Sequence, residues 1–219
     1  MDIAIAGAHG RVARHLTRLL HARGDRVRGL IRDPDQAEDI RIDGGEPVVC
    51  DLEEAMVEEV TEVVRGCDAV VFAAGAGPGS GAARKATMDR DGAVLLVAAA
   101  QAAGVGRYVM LSAMGTDDPP ADPDEDDVFA VYLAAKAAAD RAVMASDLSW
   151  TVVRPGRLTD DPPSGLVTLA RHVDRGKVPR ADVAAVLDAV LQDDRTVGHV
   201  VEVVEGGTPI QDAVDTLVV

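Results

Sequence analysis

The sequence predicts an α/β fold with a doubly wound parallel sheet. Short runs of Val, Ile and Ala alternate with longer helical patterns along the 219 residues. Such alternation requires crossover connections that place helices on both faces of a parallel sheet. Hydrophobic residues make up 47% of the chain but aromatic residues only 2%. The core is therefore expected to consist of Ala, Val and Leu, which suits helices packed closely on a sheet.

The predicted strands and helices follow one another in regular order. Strands are expected near 2–6, 26–32, 46–50, 68–74, 106–112 and 149–153, and helices near 11–22, 53–65, 83–103 and 128–145. The remaining chain predicts a strand near 166–170, a helix near 181–192, a strand near 199–205 and a helical tail after Thr208-Pro209. One domain is expected over 1–219, in which 157–219 form a small C-terminal cap on the substrate side.

Charge and cysteine placement narrow the range of partners. The formal net charge of −15 repels the phosphates of nucleic acids and anionic lipid headgroups. Cys50 and Cys67 lie outside any metal-ligand spacing, so no metal site is predicted and both are expected to be reduced. The apolar runs are too short to cross a bilayer and the chain opens directly on a strand, so a cytoplasmic protein is expected. A small-molecule substrate is the expected partner, and the oligomeric state stays open.

A glycine turn follows the first predicted strand. In the segment Gly7-Ala8-His9-Gly10-Arg11-Val12-Ala13, Gly7 permits a tight turn and Gly10 lets backbone N–H groups approach a pyrophosphate at a helix N-terminus. Its position at the first strand of an alternating chain indicates a dinucleotide-binding Rossmann fold. The other turn residues expected at the cofactor are His9, Arg11 and Val12. An exposed loop residue is an equally good interpretation of His9.

The ends of the next strands are expected to face the same cleft. Arg32 lies about twenty residues past the glycine turn, where it suits the 2′-phosphate of NADP. The adjacent Asp33 would instead suit the bare ribose of NAD. NADP is therefore the expected cofactor, with NAD as the alternative. The third and fourth strands are expected to contribute Asp51, Leu52, Ala73, Ala74 and Gly75.

Tyr132 and Lys136 are four residues apart on a predicted helix, so their side chains share one face. An ammonium beside a phenol stabilises the phenolate, and the pKa of Tyr132 is therefore expected to fall from about 10 towards neutrality. Ser112 ends the fifth strand at the rim where a nicotinamide would lie. The alternative for Ser112 is a hydrogen bond that closes the strand end. These three residues are the candidate catalytic group.

Together these segments resemble the short-chain dehydrogenase/reductase superfamily, specifically its short atypical members of the NAD(P)-binding, NAD-dependent epimerase/dehydratase-like type. The resemblance covers nearly the whole chain and rests on GAHGRVA, IRDP, CDL, VVFAAGAG, DRDGAVLLVAAAQAAGVGRYVMLSAMG, YLAAK and WTVVRPGRLT. It implies that Tyr132 protonates a carbonyl during hydride transfer, that Lys136 holds the nicotinamide ribose and that Ser112 polarises the carbonyl. It also implies that the backbone of Pro155 and Gly156 lines the nicotinamide.

The resemblance implies an oxidoreductase that transfers hydride between NADPH and a small carbonyl or quinone-like substrate. A non-catalytic regulatory protein that senses NADP(H) is the first alternative. A sugar epimerase or dehydratase is the second, although the short segment after Gly156 leaves little room for a nucleotide sugar. The asparagine that many relatives carry on the fourth helix is absent, and the matching stretch reads Thr87-Met88-Asp89-Arg90-Asp91.

Overall fold

A computed structural model describes residues 1–75, 77, 84–120, 123–124 and 126–217, without the side chains of residues 85 and 86. The strands are β1 (Asp2–Ala6), β2 (Arg26–Ile31), β3 (Glu46–Val49), β4 (Ala69–Phe72), β5 (Arg107–Leu111), β6 (Ser149–Pro155), β7 (Arg157–Thr159), β8 (Leu166–Ala170), β9 (Lys177–Pro179), β10 (His199–Glu205) and β11 (Thr208–Pro209). The α-helices are α1 (Arg11–Arg23), α2 (Ala37–Ile42), α3 (Val57–Val64), α4 (Gly92–Ala103), α5 (Val128–Met144), α6 (Arg180–Gln192) and α7 (Ile210–Leu217).

Nine of the described strands form one sheet in the order β11-β8-β10-β6-β5-β4-β1-β2-β3. Every neighbouring pair from β10 to β3 is parallel, whereas β8 pairs antiparallel with both β10 and β11. The strand order reverses at β1, because the chain moves outward to β2 and β3 and then returns to β4 on the other side. This topology confirms the predicted doubly wound Rossmann fold. An antiparallel edge on a parallel sheet is common in such folds.

Helices cover both faces of the sheet and divide the core into two layers. Alternate residues of a strand point to opposite faces, so Ile3 and Ile5 pack with α1 and α6, while Ala4 and Ala6 pack in the other layer with α4. Tyr108 and Phe72 are the largest fully buried side chains, and both belong to that second layer. Two close-packed layers hold the carboxyl ends of β1, β4 and β5 at one edge, where the cleft opens.

The structure differs from the sequence prediction in several connections. The predicted helix at 83–103 begins with a π-helical segment, Lys85–Asp91, before α4 starts at Gly92. The short elements α2, β7, β9 and β11 were not predicted, because each is too short for a periodic pattern to stand out. Within the segment 157–219, the strands β8, β10 and β11 extend the sheet, while β7 and β9 form a separate pair.

The acidic segment between β5 and α5 is tied to the sheet at its start. Met114 N–H donates to the carbonyl of Pro155 at 3.2 Å, and Asp117 forms an ion pair with Arg154. Residues 121, 122 and 125 of this segment lie outside the described residues. Within the described part of the chain, no helix has the length and apolar character that a membrane span requires.

Candidate cofactor and catalytic site

The carboxyl ends of the central strands border an open cleft of about 780 Å³. This volume lies within the range of small-molecule and cofactor sites. Of the residues expected at the site, the cleft brings together Gly7, His9, Gly10, Arg11, Val12, Arg32, Asp51, Leu52, Ala73, Ala74, Gly75, Ser112, Tyr132 and Lys136. The catalytic candidates and the glycine turn therefore share one cavity.

Pro155 and Gly156 were expected to line the nicotinamide, but the structure does not place them among the residues that line the cleft. Gly156 N–H donates to the carbonyl of Val203 at 2.9 Å, which joins the end of β6 to β10. A Cβ on Gly156 would overlap the carbonyl oxygen of Gly176. The glycine here allows two backbone segments to approach each other, which gives this position a packing role.

The glycine turn presents backbone donors at the start of α1. Gly7 has a φ of +75°, and a Cβ at this position would overlap Cα of Ala74 on the next strand end. Gly10 N–H donates to Gly7 C=O at 2.9 Å and closes the turn immediately before α1. The first N–H groups of a helix have no partner within the helix and carry the positive end of its dipole. The residues present therefore fit a pyrophosphate at this end of the cleft.

Arginine side chains surround the position expected for the adenosine ribose. Arg32 is half exposed, and its Nη1 lies 3.8 Å from Glu53 Oε2. Arg84 donates to the same Oε2 at 3.0 Å, and Thr87 donates to Glu53 Oε1 at 2.7 Å. Burial acts to raise the pKa of Glu53, but the hydrogen bonds from Thr87 and Arg84 outweigh it and lower that pKa. Glu53 thus stays an anion between two guanidinium groups that line the cleft.

Asp33 has a local structural role. Its carboxylate accepts from Asp35 N–H at 2.9 Å and caps the 3₁₀ turn Pro34–Gln36. Arg32 is among the residues that line the cleft, and Asp33 is not. The structure therefore places Arg32 at the cleft and Asp33 in the 3₁₀ turn, a distinction that the sequence alone could not make.

The basic side chains of the glycine turn, Arg11 and His9, contact carboxylates at the edge of the cleft. Arg11 is paired with Asp160, which also accepts from Arg180 at 2.7 Å. His9 Nε2 lies 2.8 Å from Asp39 Oδ2, and this contact is the main cause that lowers the pKa of Asp39. These partners are exposed, so an incoming anion could compete for Arg11 and for the His9 ring N–H at modest cost.

Lys136 is buried at the other end of the cleft, within a set of oxygen atoms. Its Nζ lies 3.2 Å from the carbonyl oxygen of Leu111 and 3.3 Å from that of Ala74. Asp89 Oδ1, on the π-helical segment, is also 3.3 Å away, and the side chains are 4% and 1% exposed. The ammonium and the carboxylate therefore form a buried ion pair. Sequence reasoning did not single out Asp89 as a site residue.

Tyr132 lies one helical turn before Lys136 and lines the same part of the cleft. Its pKa is raised, first by burial and then by the negative charges of Asp89 and Asp140. The expected fall of this pKa towards neutrality is therefore wrong for the protein without cofactor. The physical reason is first that the phenol is buried, which disfavours the charged phenolate, and second that the negative charges of Asp89 and Asp140 oppose its ionisation.

Ser112 is buried at the end of β5, where its N–H donates to the carbonyl of Val153 at 2.8 Å. Behind it, Arg154 Nε donates to Asp140 Oδ2 at 3.0 Å and Thr116 donates to the same oxygen at 3.1 Å. Burial raises the pKa of Asp140, although the Ser112 hydroxyl and the Arg154 guanidinium act in the opposite direction. This buried cluster supports the strand end that carries Ser112.

Sequence reasoning missed a further set of residues that line the cleft: Leu30, Ile31, Gln36, Cys50, Gly77, Arg84, Met88, Asp89, Leu111, Leu158 and Arg180. Asp89 could have been found, because a carboxylate within the stretch that matches the missing asparagine is a local signal. Leu158 and Arg180 carry no such signal, since only the long-range fold brings them to the cleft.

Outside the cleft, Asp117, His172 and Glu202 offer ligand atoms within 4.8 Å of one another. Arg154 already pairs with Asp117, and the backbone N–H of Val173 donates to Glu202 at 2.9 Å. A neighbouring guanidinium disfavours a bound cation. The absence of a metal site stays a prediction.

The fold, the glycine turn and the Tyr132–Lys136 pair together define a dinucleotide-binding protein of the atypical short-chain dehydrogenase/reductase class. The chain belongs to the NAD(P)H-binding family, which matches residues 7–194.

Relatives and a solved structure match nearly the whole length of the chain. The Bacillus subtilis protein named uncharacterized sugar epimerase YhfK is 33% identical over 218 residues, which cover 99% of this chain and all of that protein. The Lactococcus lactis oxidoreductase ylbE superposes with a TM-score of 0.86 and 27% identity, over 99% of this chain and 96% of that one. The 3-diazoavenalumate denitrifying reductase of a Streptomyces species is 31% identical over 225 residues, 94% of this chain and 72% of that protein.

Proposed function

We propose that the protein is an NADP-dependent reductase that acts on a small carbonyl or quinone-like substrate. The observation that carries the proposal is the placement of Ser112, Tyr132 and Lys136 in the same cleft as the glycine turn. An anion-binding helix start and a proton donor that line one cavity suit a dinucleotide that spans both. The names of the Lactococcus lactis and Streptomyces relatives also support an oxidoreductase.

The residues at the Tyr132 end suit proton delivery to an oxygen atom. A reduced nicotinamide, when bound, supplies a hydride to the carbonyl carbon. Tyr132 donates its Oη proton to the carbonyl oxygen, so that C=O becomes an alcohol and the phenolate regains a proton from water. The Ser112 hydroxyl hydrogen-bonds the same oxygen and polarises it. The pKa of Tyr132 is raised, chiefly by burial, so the phenol carries its proton at neutral pH.

The cofactor preference is proposed to be NADP(H) over NAD(H). Arg32 and Arg84 line the cleft and share Glu53 as an anionic partner. A 2′-phosphate would replace Glu53 as the partner of these cations and gain charge-assisted hydrogen bonds. The Asp33 carboxylate, which would favour a bare ribose, already accepts a hydrogen bond from Asp35 N–H.

The proposal is tested by titrating the purified protein with all four dinucleotides at fixed salt. The preferred reduced dinucleotide is then offered with a panel of aldehydes, ketones and quinones while its oxidation is followed. Tighter binding of NADP(H) and substrate-dependent oxidation of NADPH are expected. Tight NADP(H) binding with no oxidation by any substrate would favour the regulatory alternative. Firmly retained NAD with no net consumption would favour an epimerase or dehydratase.

A further inference from the structure

The π-helical segment Lys85–Asp91 brings an acidic side chain to the buried lysine of the cleft. Asp89 is 1% exposed, and its Oδ1 lies 3.3 Å from Lys136 Nζ. A Cβ on Gly75 would lie 3.1 Å from this oxygen, so glycine at that strand end leaves space for the carboxylate. π-helical turns are rare and concentrate at functional sites. The π-helical backbone therefore carries Asp89 to Lys136, and Gly75 leaves space for its carboxylate.

A buried carboxylate next to a buried ammonium changes what the ammonium does to its surroundings. In a medium of low dielectric, a free Lys136 charge would strongly stabilise a phenolate one helical turn away. Because Asp89 Oδ1 lies 3.3 Å from Lys136 Nζ, the negative charge of Asp89 offsets the positive charge of Lys136 at Tyr132. Among the described residues, Asp140 on the same helix also acts on Tyr132, although it pairs with Arg154 on β6 at 3.0 Å. Asp89 and Asp140 both favour the protonated form of the phenol.

We propose that Asp89 is a positioning residue that neutralises Lys136 and so keeps Tyr132 as a protonated phenol. The protonated phenol is the form that the reduction of a carbonyl consumes, whereas the oxidation of an alcohol requires the phenolate as base. This inference rests on the proposed role of Tyr132 as the acid. The raised pKa of Tyr132, to which Asp89 contributes after burial, agrees with the geometry.

The protonation of Tyr132 can be observed without substrate or cofactor. The chain has two tyrosines, and the other, Tyr108, is fully buried in the sheet, where burial raises its pKa strongly. Alkaline titration, followed by the phenolate absorbance and by the NMR signal of isotope-labelled tyrosine Cζ, therefore reports on Tyr132 first. Tyr132→Phe identifies the signal. In the wild-type protein no phenolate is expected at neutral pH, and its presence there would overturn the proposal.

The decisive comparison is between two neighbouring carboxylates. Asp89→Asn keeps the shape of the side chain but removes its charge, so the midpoint of Tyr132 is expected to fall by about one pH unit or more. Asp91→Asn, two residues later on an exposed side chain paired with Arg90, is expected to leave the midpoint unchanged. Asp89→Glu is expected to restore the wild-type midpoint.

An unchanged midpoint in Asp89→Asn, or an equal fall in Asp91→Asn, would overturn the proposal. Circular dichroism establishes that each variant is folded, and Asp89→Ser takes the place of Asp89→Asn if the latter unfolds. The titration needs no turnover, so its outcome is independent of the reductase assignment. A shifted midpoint in a protein that reduces none of the tested carbonyls would overturn the proposed function and leave the role of Asp89 intact.

Discussion

The two ends of the cleft hold their charges in opposite ways. At the glycine-turn end, Arg11 and Arg32 are half exposed and contact the carboxylates of Asp160 and Glu53. At the Tyr132 end, Lys136 and Arg154 are each 4% exposed at the side chain and pair with carboxylates that are 1% exposed. Exposed pairs contribute little to stability, whereas a buried charge that loses its partner costs several kcal/mol.

This difference assigns different tasks to the two ends. The exposed cations at the glycine-turn end can exchange a carboxylate for the phosphates of a ligand at small cost. The buried pairs at the Tyr132 end fix the position and the net charge of the residues around the phenol. Variants at the Tyr132 end should therefore affect chemistry and folding, while variants at the arginine end should affect selectivity.

The largest effect is expected from Tyr132→Phe. Removal of the proton donor should reduce turnover by about a hundredfold to ten-thousandfold, while dinucleotide affinity stays nearly unchanged because no cofactor contact is assigned to the hydroxyl. The turnover number and the dissociation constant of NADPH are measured in parallel. Tyr108→Phe is the matched control, since the Tyr108 hydroxyl donates to Ala93 C=O inside the core at 3.2 Å. Wild-type turnover in Tyr132→Phe would show that another group is the acid.

A large loss of folding stability is expected from Arg154→Met. This change leaves Asp140 buried without its guanidinium and should lower the free energy of unfolding by about 3 to 5 kcal/mol, measured by urea denaturation. Arg90→Met, which breaks the exposed pair with Asp91, should cost about 0 to 1 kcal/mol. Similar losses in the two variants would contradict the distinction between the buried and the exposed pairs.

The pH dependence of Arg154→Met gives a second measurement. Burial raises the pKa of Asp140 in the folded protein, so the folded state binds this proton more readily than the unfolded chain. The contribution of Asp140 to stability is then greatest at low pH and is lost as pH rises from the unfolded pKa through the folded one. Without the guanidinium the folded pKa rises further. The stability deficit of the variant should therefore be smaller at about pH 5 than at about pH 8.

The sequence predicted the glycine-turn end better than the Tyr132 end. The alternation of strands and helices gave the Rossmann fold, and Gly7 and Gly10 act through local backbone geometry that a short motif records. Tyr132 and Lys136 were found because helical spacing places both on one face. The pairing of Lys136 with Asp89 joins two elements that are far apart in the chain, and no local pattern shows it. The expected fall in the pKa of Tyr132 was wrong because the spacing of Tyr132 and Lys136 shows neither the burial of the phenol nor the charges of Asp89 and Asp140.

The same limit applies to the segment after β6. Pro155 and Gly156 follow a recognisable motif, yet Gly156 N–H donates to Val203 and its Cα packs against Gly176, while the Pro155 carbonyl accepts from Met114. Which backbone a glycine must approach depends on the register of β10 beside β6, and this register is a tertiary property. Arg180 reaches the cleft because α6 starts next to the two-stranded pair of β7 and β9. Single-sequence patterns contain none of these contacts.

A smaller loss of stability is expected from Gly7→Ala at the glycine-turn end. The positive φ and the overlap of a Cβ with Ala74 should together cost about 2 to 4 kcal/mol, with weaker dinucleotide binding because the turn must open. Gly24→Ala is the control: its φ is +94° but no atom lies within 4 Å of a Cβ there. The difference between the two variants in thermal or urea denaturation isolates the overlap. Equal losses would mean that strain alone determines the effect.

The smallest effect, and the sharpest test of the arginine end, is expected from Arg32→Ala. A charge-assisted hydrogen bond contributes roughly 1.5 to 3 kcal/mol, so the wild-type protein should prefer NADP(H) by about tenfold to a hundredfold. Arg32→Ala should largely remove this preference by weakening NADP(H), with NAD(H) affinity little changed. The dissociation constants of both dinucleotides are measured at two salt concentrations, because an exposed contact weakens as salt rises.

Arg26→Ala provides the comparison at the other end of the same strand. Arg26 is the first residue of β2, whereas Arg32 follows its last, and the Arg26 side chain is 83% exposed and pairs with Asp2. It carries the same charge as Arg32, so it reports any general effect of net charge on anionic ligands. Its removal should leave the preference for NADP(H) intact. Equal wild-type affinities for the two dinucleotides would mean that Arg32 only holds Glu53 at the surface. If the wild-type protein prefers NADP(H) but the two variants have equal effects, the preference would have to lie with Arg84.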